Sequence, residues 1–401
     1  MNRWLTLIGT PADGLAGLTS AARAALDEAE IIIVPKRLAL EELPAGAEVH
    51  NWPSPLSAMM PRMKEWRGRN TVVLATGNPF HFGIGTMLSK NFSVEEMNVL
   101  PAPSAFSLAA ARLGWSLQDV DMISLHGRPV SALAAFLQPG ARILALTTDA
   151  QTVADAATLM TRKGFGPSAI SVLQNMGADE ERISDTTAGE FSGDGISDFN
   201  TLAIECVCEP GTALKARVPG LPDDAFVHDG QLTKREVRAA TLAALGPVPG
   251  GLLWDVGGGC GSVGIEWMRA ARGARAIAFE QNQKRIAMAG ENALALGVPG
   301  LEIITGSAPG VLEGRAEADA VFIGGAVDDD GVFDACWAAL KTGGRLVANA
   351  VTLEGQAALT RRIESHGGEL VRIDVSYLDN VGARHVMRPR MSVMQYRVEK
   401  Q

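Results

Sequence analysis

The sequence predicts an α/β protein of two domains. Its 401 residues exceed the roughly 100 to 200 residues of a usual domain. A chain with 47% hydrophobic and 20% charged residues has the ordinary composition of a globular protein. Its 44 glycines and 20 prolines are spread out rather than clustered, which is typical of many tight turns between strands and helices.

Strand, turn and helix alternate through the first half of the chain. An apolar strand at residues 4–8 is followed by a glycine turn, a helix to about Glu30 and a β-branched strand at 31–34. The same order begins again with a strand at 71–76. It recurs with a strand at 141–147 and a helix from about Gln151.

A connector separates the two predicted domains. Residues 209–229 contain three prolines, two glycines and no helical period. We therefore predict a first domain at residues 1–210, a linker at 211–220 and a second domain at 221–401.

The second domain is predicted to open on a capped helix. Thr233-Lys-Arg-Glu236 matches a capping box and predicts a helix to about Leu245. Further strands are predicted at 252–256, 274–280, 301–305, 319–323 and 345–351, and helices at 262–272, 283–296, 332–341 and 354–366. Two closing β segments, around 370–377 and 391–398, predict an antiparallel pair on an otherwise parallel sheet.

Charge and cysteine content exclude several functions. Lys plus Arg number 36 against 45 Asp plus Glu, and a net charge of -9 gives no field that attracts nucleic acid. The start lacks a signal-peptide pattern, and no apolar stretch reaches the roughly 18 residues of a membrane span. We expect a cytoplasmic protein without membrane partners. The four cysteines, without a CxxC pair, indicate neither disulfides nor a metal site.

A glycine loop follows the first strand of the second domain. Asp255-Val-Gly257-Gly258-Gly259-Cys260-Gly261 lets the backbone approach a cofactor closely, although such a loop can also be a tight turn. Glu280 ends the next strand, where a carboxylate can accept hydrogen bonds from ribose hydroxyls or can simply be solvated.

This loop and the later glycine-turned strand at 340–349 resemble the class I S-adenosylmethionine-dependent methyltransferases. The resemblance implies a Rossmann-like seven-stranded sheet, with the methionine end of the cofactor at the glycine loop and the ribose on Glu280. It places the adenine near the turn Gly306-Ser-Ala308-Pro309. The strand at 319–323 ends in Ile-Gly-Gly instead of an Asn-Pro-Pro-Tyr motif, which disfavours a planar nitrogen as methyl acceptor.

Four motifs of the first domain follow apolar segments, where α/β proteins build ligand crevices. They are Gly9-Thr-Pro11-Ala-Asp13, Gly77-Asn78-Pro79, Pro101-Ala-Pro103-Ser104 and His126-Gly-Arg128. Together they resemble the class III tetrapyrrole methylases, which bind S-adenosylmethionine between two α/β lobes and methylate ring carbons of porphyrinoids. The chain departs from that family at Asn78, where an acid is common.

The fusion of these two halves resembles the family of decarboxylating precorrin-6B C5,15-methyltransferases of aerobic cobalamin synthesis. The resemblance implies that the first domain methylates C5, and that the second methylates C15 and decarboxylates the C12 acetate of ring C to give precorrin-8. It implies one S-adenosylmethionine per domain, no metal, and a homo-oligomer, either dimer or tetramer. The implied cofactor residues are Gly9, Pro11, Asp13, Gly77, Asn78, Pro79, Ser104, Thr233, Gly257, Gly258, Gly259, Cys260, Gly261, Glu280 and Ala308.

A cationic segment near the end suits a substrate rich in carboxylates. It reads Arg384-His385-Val-Met-Arg388-Pro-Arg390, and guanidinium groups bind carboxylates bidentately. We predict Arg384 and Arg388 as catalytic, and His385 as the group that manages the proton of decarboxylation. Arg390, with His126 and Arg128 of the first domain, is predicted to bind substrate. A solvated loop, or for His126 and Arg128 a helix cap or surface ion pair, is the alternative.

Two other functions stay open at the level of sequence. One is methylation of another acceptor, such as RNA or protein. The other makes the first domain a non-catalytic docking module for the tetrapyrrole, which the missing acid at Asn78 suggests.

Overall fold

The computed structural model describes residues 3–35 and 43–401. The chain forms two compact units. The first comprises Met1–Val130 and Pro139–Pro210, and the second comprises Ser131–Gln138 and Gly211–Gln401. The sequence did not indicate that Ser131–Gln138 belongs with the second unit.

The first unit begins with a parallel five-stranded sheet in the order β3-β2-β4-β1-β5. Helix α1 begins after Thr19, whose side chain accepts from the Ala22 amide. The strands are β1 (Leu5–Thr10), β2 (Ile31–Val34), β3 (Glu48–Asn51), β4 (Thr71–Thr76) and β5 (Met97–Leu100), and the helices are α1 (Ser20–Asp27), α2 (Met60–Glu65) and α3 (Gly85–Leu88).

A second five-stranded sheet completes this unit, in the order β6-β7-β10-β8-β9. Its strands are β6 (Val120–Ser124), β7 (Arg142–Leu146), β8 (Ala169–Gln174), β9 (Arg182–Thr187) and β10 (Asn200–Glu205), with helices α4 (Ala105–Leu113) and α5 (Ala150–Arg162). Only β6 and β7 pair in parallel. The last three strands pair antiparallel, because no long helix separates them. The regular strand and helix alternation expected up to residue 208 therefore ends at β8.

The second unit is built on a seven-stranded sheet in the order β13-β12-β11-β14-β15-β19-β16. Its strands are β11 (Leu252–Val256), β12 (Arg275–Glu280), β13 (Glu302–Thr305), β14 (Ala318–Ile323), β15 (Leu340–Ala350), β16 (Glu369–Ile373) and β19 (Val393–Glu399). Its helices are α6 (Arg235–Leu245), α7 (Ser262–Ala270), α8 (Gln283–Ala295), α9 (Asp330–Ala339) and α10 (Leu353–His366). The predicted α/β class and seven-stranded mixed sheet are confirmed.

The end of the chain pairs as expected and adds one element. β16 and β19 are antiparallel, and β19 lies between β15 and β16. Between them the chain forms a separate hairpin of β17 (Ser376–Val381) and β18 (Arg384–Pro389), which the sequence did not predict. This hairpin carries most of the cationic segment.

The core of the second unit lies on both faces of its sheet. Trp254 of β11 packs with Phe279 on one face, at a ring distance of 5.3 Å. Leu253, the next residue, packs on the other face with Trp267 of α7. Side chains alternate across a strand, so a strand covered on both faces must be apolar throughout, as β11 is except at Asp255. Within the described residues, no helix is long and apolar enough to cross a membrane.

Candidate functional site

Three loops of the first unit meet at the carboxyl edge of its parallel sheet. The Gly77 amide donates to Thr10 O at 2.8 Å, and the Ala102 amide donates to Gly77 O at 3.3 Å. A side chain at Gly9 has no room, because its Cβ would lie 2.0 Å from Gly77 O. The structure thus brings together the motifs that begin at Gly9, Gly77 and Pro101.

The Gly77-Asn78-Pro79 turn is closed by its own groups. Gly77 has a φ of +65°, and a Cβ there would lie 3.1 Å from Pro103 O. Asn78 Oδ1 accepts from the Phe80 amide at 2.9 Å. An asparagine therefore closes this turn through the same oxygen that an aspartate would use.

The loop after β1 extends to the second lobe of the unit. Pro11 is half-buried and Asp13 is exposed. The Asp13 carboxylate lies against Gly17, where an added Cβ would come within 2.0 Å of Oδ1. Ala12 Cβ lies 3.0 Å from the position of a Cβ on Gly177, which follows β8. Pro11 and Asp13 therefore stand where the two lobes approach each other.

Ser104 is buried and links two elements of the site. Its Oγ accepts from the Ser107 amide at 3.2 Å and so caps α4. The same oxygen is hydrogen bonded to His81 Nδ1 at 2.9 Å. The His81 ring lies 4.7 Å from the ring of Phe106. Sequence reasoning missed His81, although it follows the Gly77-Asn78-Pro79 motif by two residues.

The two predicted substrate residues of the first unit differ in their surroundings. His126 Nδ1 donates to Thr147 O at 3.2 Å, within its own lobe. Arg128 is exposed, and its guanidinium carbon lies 5.9 Å from the ring centre of Phe82 in the other lobe. Arg128 therefore contacts a loop of the first sheet, whereas the hydrogen bond of His126 stays within its own lobe.

The second site forms where β11 ends. The amides of Gly257 and Gly258 donate to Phe279 O at 3.0 and 3.1 Å. Gly257 has a φ of +75°, and a Cβ there would lie 3.0 Å from the amide nitrogen of Gly325, after β14. Gly261, with a φ of +80°, begins α7 as its N-cap. The loop is therefore held between the ends of β12 and β14, and four of its five residues are glycines.

Glu280 is buried beside this loop. Its Oε2 accepts from the Gly259 amide at 2.9 Å, and its Oε1 accepts from the Asn282 amide at 2.8 Å. A carboxylate has about four lone-pair sites, so both oxygens retain capacity for further donors. The Gly306 amide donates to Glu280 O at 3.0 Å, which brings the turn that holds half-buried Ala308 next to this carboxylate.

Asp255 is a residue of this site that sequence reasoning did not select. It is fully buried, and its Oδ2 accepts from the Gly264 amide at 2.9 Å, which ties the end of β11 to α7. Burial raises the pKa of Asp255 to about 7, and the charge of Glu280 acts in the same direction. The signal for it was an acid in an otherwise apolar strand, two residues before the first glycine of the loop.

Cys260 is buried and contributes its backbone. Its carbonyl accepts from Asn292 Nδ2 at 3.0 Å. Burial raises the pKa of the Cys260 thiol, so the side chain stays protonated. Asn292 is a second buried polar residue that the sequence analysis did not select.

The predicted capping box at Thr233 is wrong. The N-cap of α6 is Lys234, and no side chain caps the helix there. Half-buried Thr233 instead presents its carbonyl to Arg238 Nη1 at 2.5 Å. Glu236 accepts a hydrogen bond from Tyr377 Oη, and this bond lowers the pKa of the Glu236 carboxyl. The Glu236 carboxylate therefore binds Tyr377, which is distant in sequence, instead of the helix cap that the local pattern predicted.

The cationic residues near the end do not converge on one point. Cross-strand pairing and strand alternation place Arg384 and Arg388 on the face of the hairpin that carries Tyr377, and His385 on the opposite face. His385 Nδ1 is hydrogen bonded to Asn380 Oδ1 at 2.8 Å.

The two arginines nearest Tyr377 have local partners. Arg388 Nε pairs with Asp379 Oδ2 at 2.5 Å. Arg390 lies with its guanidinium carbon 5.3 Å from the ring centre of Tyr377. The predicted catalytic set of Arg384, His385 and Arg388 is therefore divided between two faces of one hairpin.

Two families of known proteins match the chain in sequence. The tetrapyrrole (corrin/porphyrin) methylases match residues 4–192, and the precorrin methyltransferase domain matches residues 224–400. Together these matches cover both sites described above.

Individual relatives match the chain over nearly its whole length. It is 44% identical over 394 residues to the precorrin-6Y C(5,15)-methyltransferase (decarboxylating) of Sinorhizobium sp, covering 98% of this chain and 95% of that protein. A protein of the same name from Mycobacterium tuberculosis is 38% identical over 403 residues, covering 99% and 100%. The crystal structure of the C-terminal domain of precorrin-6Y C5,15-methyltransferase from Rhodobacter capsulatus is 42% identical, covers 46% of this chain and 100% of its own, and has a TM-score of 0.44.

Proposed function

The chain belongs to the family of precorrin-6Y C(5,15)-methyltransferases (decarboxylating) of cobalamin biosynthesis, and we propose that its two units divide this reaction. The first unit methylates C5. The second methylates C15 and releases CO2 from the ring C acetate to complete precorrin-8. The observation that carries this proposal is the presence of a separate glycine-lined loop cluster in each unit, so that each binds its own S-adenosylmethionine.

The second unit has an acceptor and a space that suit S-adenosylmethionine. A Cβ on Gly325 would meet no atom within 4 Å, whereas one on Gly259 would be in ordinary contact with Gln231 O at 3.7 Å. The backbone at Gly325 therefore borders open space beside the end of β14. Glu280 faces the loop with lone pairs for a pair of ribose hydroxyls. When bound, the cofactor supplies an electrophilic methyl group on a sulfonium.

The first unit offers a comparable cradle between its lobes. Gly9 and Gly77 bring backbone from two strand ends together where side chains have no room. Ser104 and the turn at Asn78 fix the loops on either side. Asn78 closes its turn through its side-chain oxygen, so the loop keeps its conformation without an acid at this position.

The chain's own part in the chemistry is placement and charge. Transfer of the methyl group to a macrocycle carbon would require orientation and exclusion of water more than a catalytic dyad, and the loops of each unit would supply that orientation. We propose that Arg384 and Arg388 bind substrate carboxylates in the second unit, together with Arg390, and that Arg128 does so in the first. His385 lies on the opposite face of the hairpin from Arg384 and Arg388, and its part in the proton transfer of decarboxylation stays a prediction from the sequence.

We also propose that the chain self-associates through the hairpin, with a second copy of itself as the partner. Leu378 and Met387 are cross-strand neighbours, 68% and 63% exposed, on the face that carries His385. A two-stranded sheet with free edges is marginal alone, and an identical strand can pair with such an edge.

A cytoplasmic location and the absence of a metal remain predictions from the sequence.

Unit-specific variants of the full chain test the division of labour. Gly77→Ala and Gly257→Ala each place a Cβ against backbone at a positive φ, so each should disable one unit. Gly114→Ala and Gly250→Ala are the matched controls, since they have φ values of +68° and +73° but face open space. Product mass and CO2 are measured anaerobically with S-adenosylmethionine and a metal-free precorrin.

The expected products differ between the two variants. Gly77→Ala should still add one methyl and release CO2, whereas Gly257→Ala should release none. Full activity of Gly77→Ala at both carbons would favour the first unit as a docking module. Loss of both activities in each variant, with the controls intact, would contradict independent sites.

A further inference from the structure

The segment before α6 passes over the glycine loop of the second unit. We call residues 227–233 the strap. Gln231 O is the nearest atom to a Cβ on Gly259, at 3.7 Å. The strap thus lies in contact with the loop at Gly259.

Asn292 of α8 joins the strap to the loop. Its Nδ2 donates to Val227 O at 2.9 Å and to Cys260 O at 3.0 Å, and its Oδ1 accepts from the Val227 amide at 2.7 Å. The side chain is buried, and its bond to Cys260 O is shielded from water. One amide therefore fixes the start of the strap to α8 and to the loop.

Arg285 holds the middle of the strap from the same helix. It precedes Asn292 by two turns and so lies on the same face of α8. Its Nε donates to Asp229 Oδ2 at 2.8 Å, and its Nη2 donates to Gln231 Oε1 at 2.7 Å. The Arg285 guanidinium holds the pKa of the Asp229 carboxyl below its usual range.

The end of the strap is fixed independently of α8. Arg238, fully buried in α6, donates to Thr233 O, and Lys234 Nζ donates to Gly230 O at 3.1 Å. Each end of the strap therefore rests on a buried side chain, Asn292 or Arg238. The middle is held by the exposed bond from Lys234 to Gly230 and by the contacts of Arg285, with side-chain exposures of 24% for Arg285 and 35% for Asp229. The bonds that hold the middle are thus the ones that water reaches.

We propose that Arg285 is a positioning residue that latches the strap over S-adenosylmethionine in the second unit and sets how fast this molecule leaves. The inference rests on the proposed function, because it requires the cofactor to lie in the glycine loop. α8 begins three residues after Glu280 and is capped by Asn282. The helix that carries Arg285 therefore starts next to the residue whose carboxylate accepts from the Gly259 amide. Closure of the strap and the position of the ribose site are thereby coupled.

Release of labelled S-adenosylmethionine from the full-length protein tests the latch. A pulse and chase should show two phases, one from each unit. Arg285→Ala removes two hydrogen bonds, one of them to a carboxylate, and should speed one phase about tenfold while the other stays unchanged. Arg285→Lys keeps the charge and one contact, so its release rate should lie between those of the unmodified chain and Arg285→Ala. Arg345→Ala is the control. It breaks an exposed pair between Arg345 of β15 and Glu399 of β19, and it should change neither phase.

A measurement without cofactor separates the latch from the chemistry. Amide hydrogen exchange of the strap should be faster in Arg285→Ala than in Arg345→Ala, while α8 itself exchanges as in the unmodified protein. Two bound equivalents with identical release in Arg285→Ala and the unmodified chain would overturn the latch alone. A single bound equivalent in the unmodified chain would overturn the proposed function as well.

Discussion

At the end of β12, Glu280 directs both carboxylate oxygens to backbone amides, one in the glycine loop and one at the start of α8. Its place at a strand end made it a candidate from sequence, because the acid and the glycines keep a characteristic spacing. Asp255 and Asn292 were not found in this way. Their roles depend on amides and carbonyls that only the folded chain brings near them.

Replacing Glu280 should weaken one cofactor site. Glu280→Gln keeps one acceptor for the loop but removes the charge, and a hydrogen bond to a charged group contributes about 1.5–3 kcal/mol. We expect S-adenosylmethionine to bind the second unit at least about tenfold more weakly by titration calorimetry. Glu302→Gln on β13, which is exposed, is the control. Equal affinities in both variants would remove Glu280 from the site.

Asp255 should make the stability of the second unit depend on pH. Burial raises its pKa to about 7 from 3.8, so the folded chain retains a proton there that the unfolded chain has released. The stabilisation is full below about pH 4 and is lost as the pH rises through about 7.

Asp255→Asn keeps an acceptor for the Gly264 amide and cannot ionise. Its free energy of opening, read from hydrogen exchange of β11, should therefore fall less than that of the unmodified chain between about pH 5 and about pH 8. Parallel pH profiles would show that Asp255 does not titrate in this range.

At the scale of elements, the sequence predicted the strands of the second unit and the antiparallel pairing of β16 with β19. It failed where a distant partner competes with a local pattern. Glu236 fits a capping box, but Tyr377 lies 141 residues later and takes the carboxylate. The hairpin of β17 and β18 was also missed, because few of its side chains are buried and the apolar alternation is weak.

The buried pair of Arg238 and Glu266 should be necessary for the order of α6 and the strap. Arg238 Nε donates to Glu266 Oε1 at 2.6 Å, and both side chains are at most 2% exposed. Arg238→Met leaves the Glu266 charge buried without its guanidinium partner, which costs about 3–5 kcal/mol.

Hydrogen exchange of α6 measures this loss. Arg372→Ala breaks an exposed pair with Asp374, with expected changes below about 1 kcal/mol. A change in Arg238→Met as small as that of Arg372→Ala would contradict the anchoring role of the pair.

The hairpin should determine the oligomeric state. Leu378→Asp with Met387→Asp puts two charges into the proposed contact between copies, and light scattering should then show a smaller particle. Val94→Asp tests the general effect of a charge at an exposed apolar residue of the first unit, since Val94 is 67% exposed. An unchanged mass in the double variant would place the self-contact elsewhere.

For the whole molecule, the motifs read from sequence identify two sites rather than one. The motifs of the first unit converge because the carboxyl ends of parallel strands share an edge, which the strand order in the sequence already implies. The antiparallel second sheet and the attachment of Ser131–Gln138 to the second unit could not be predicted. They follow from packing between segments that carry no local signal.

The number of S-adenosylmethionine molecules bound per chain tests the central claim most directly. Equilibrium dialysis of the full-length protein should give two for the unmodified chain and for Gly250→Ala, and one for Gly257→Ala. A value of one for the unmodified chain would contradict the account, because one unit would then lack a methyl donor of its own.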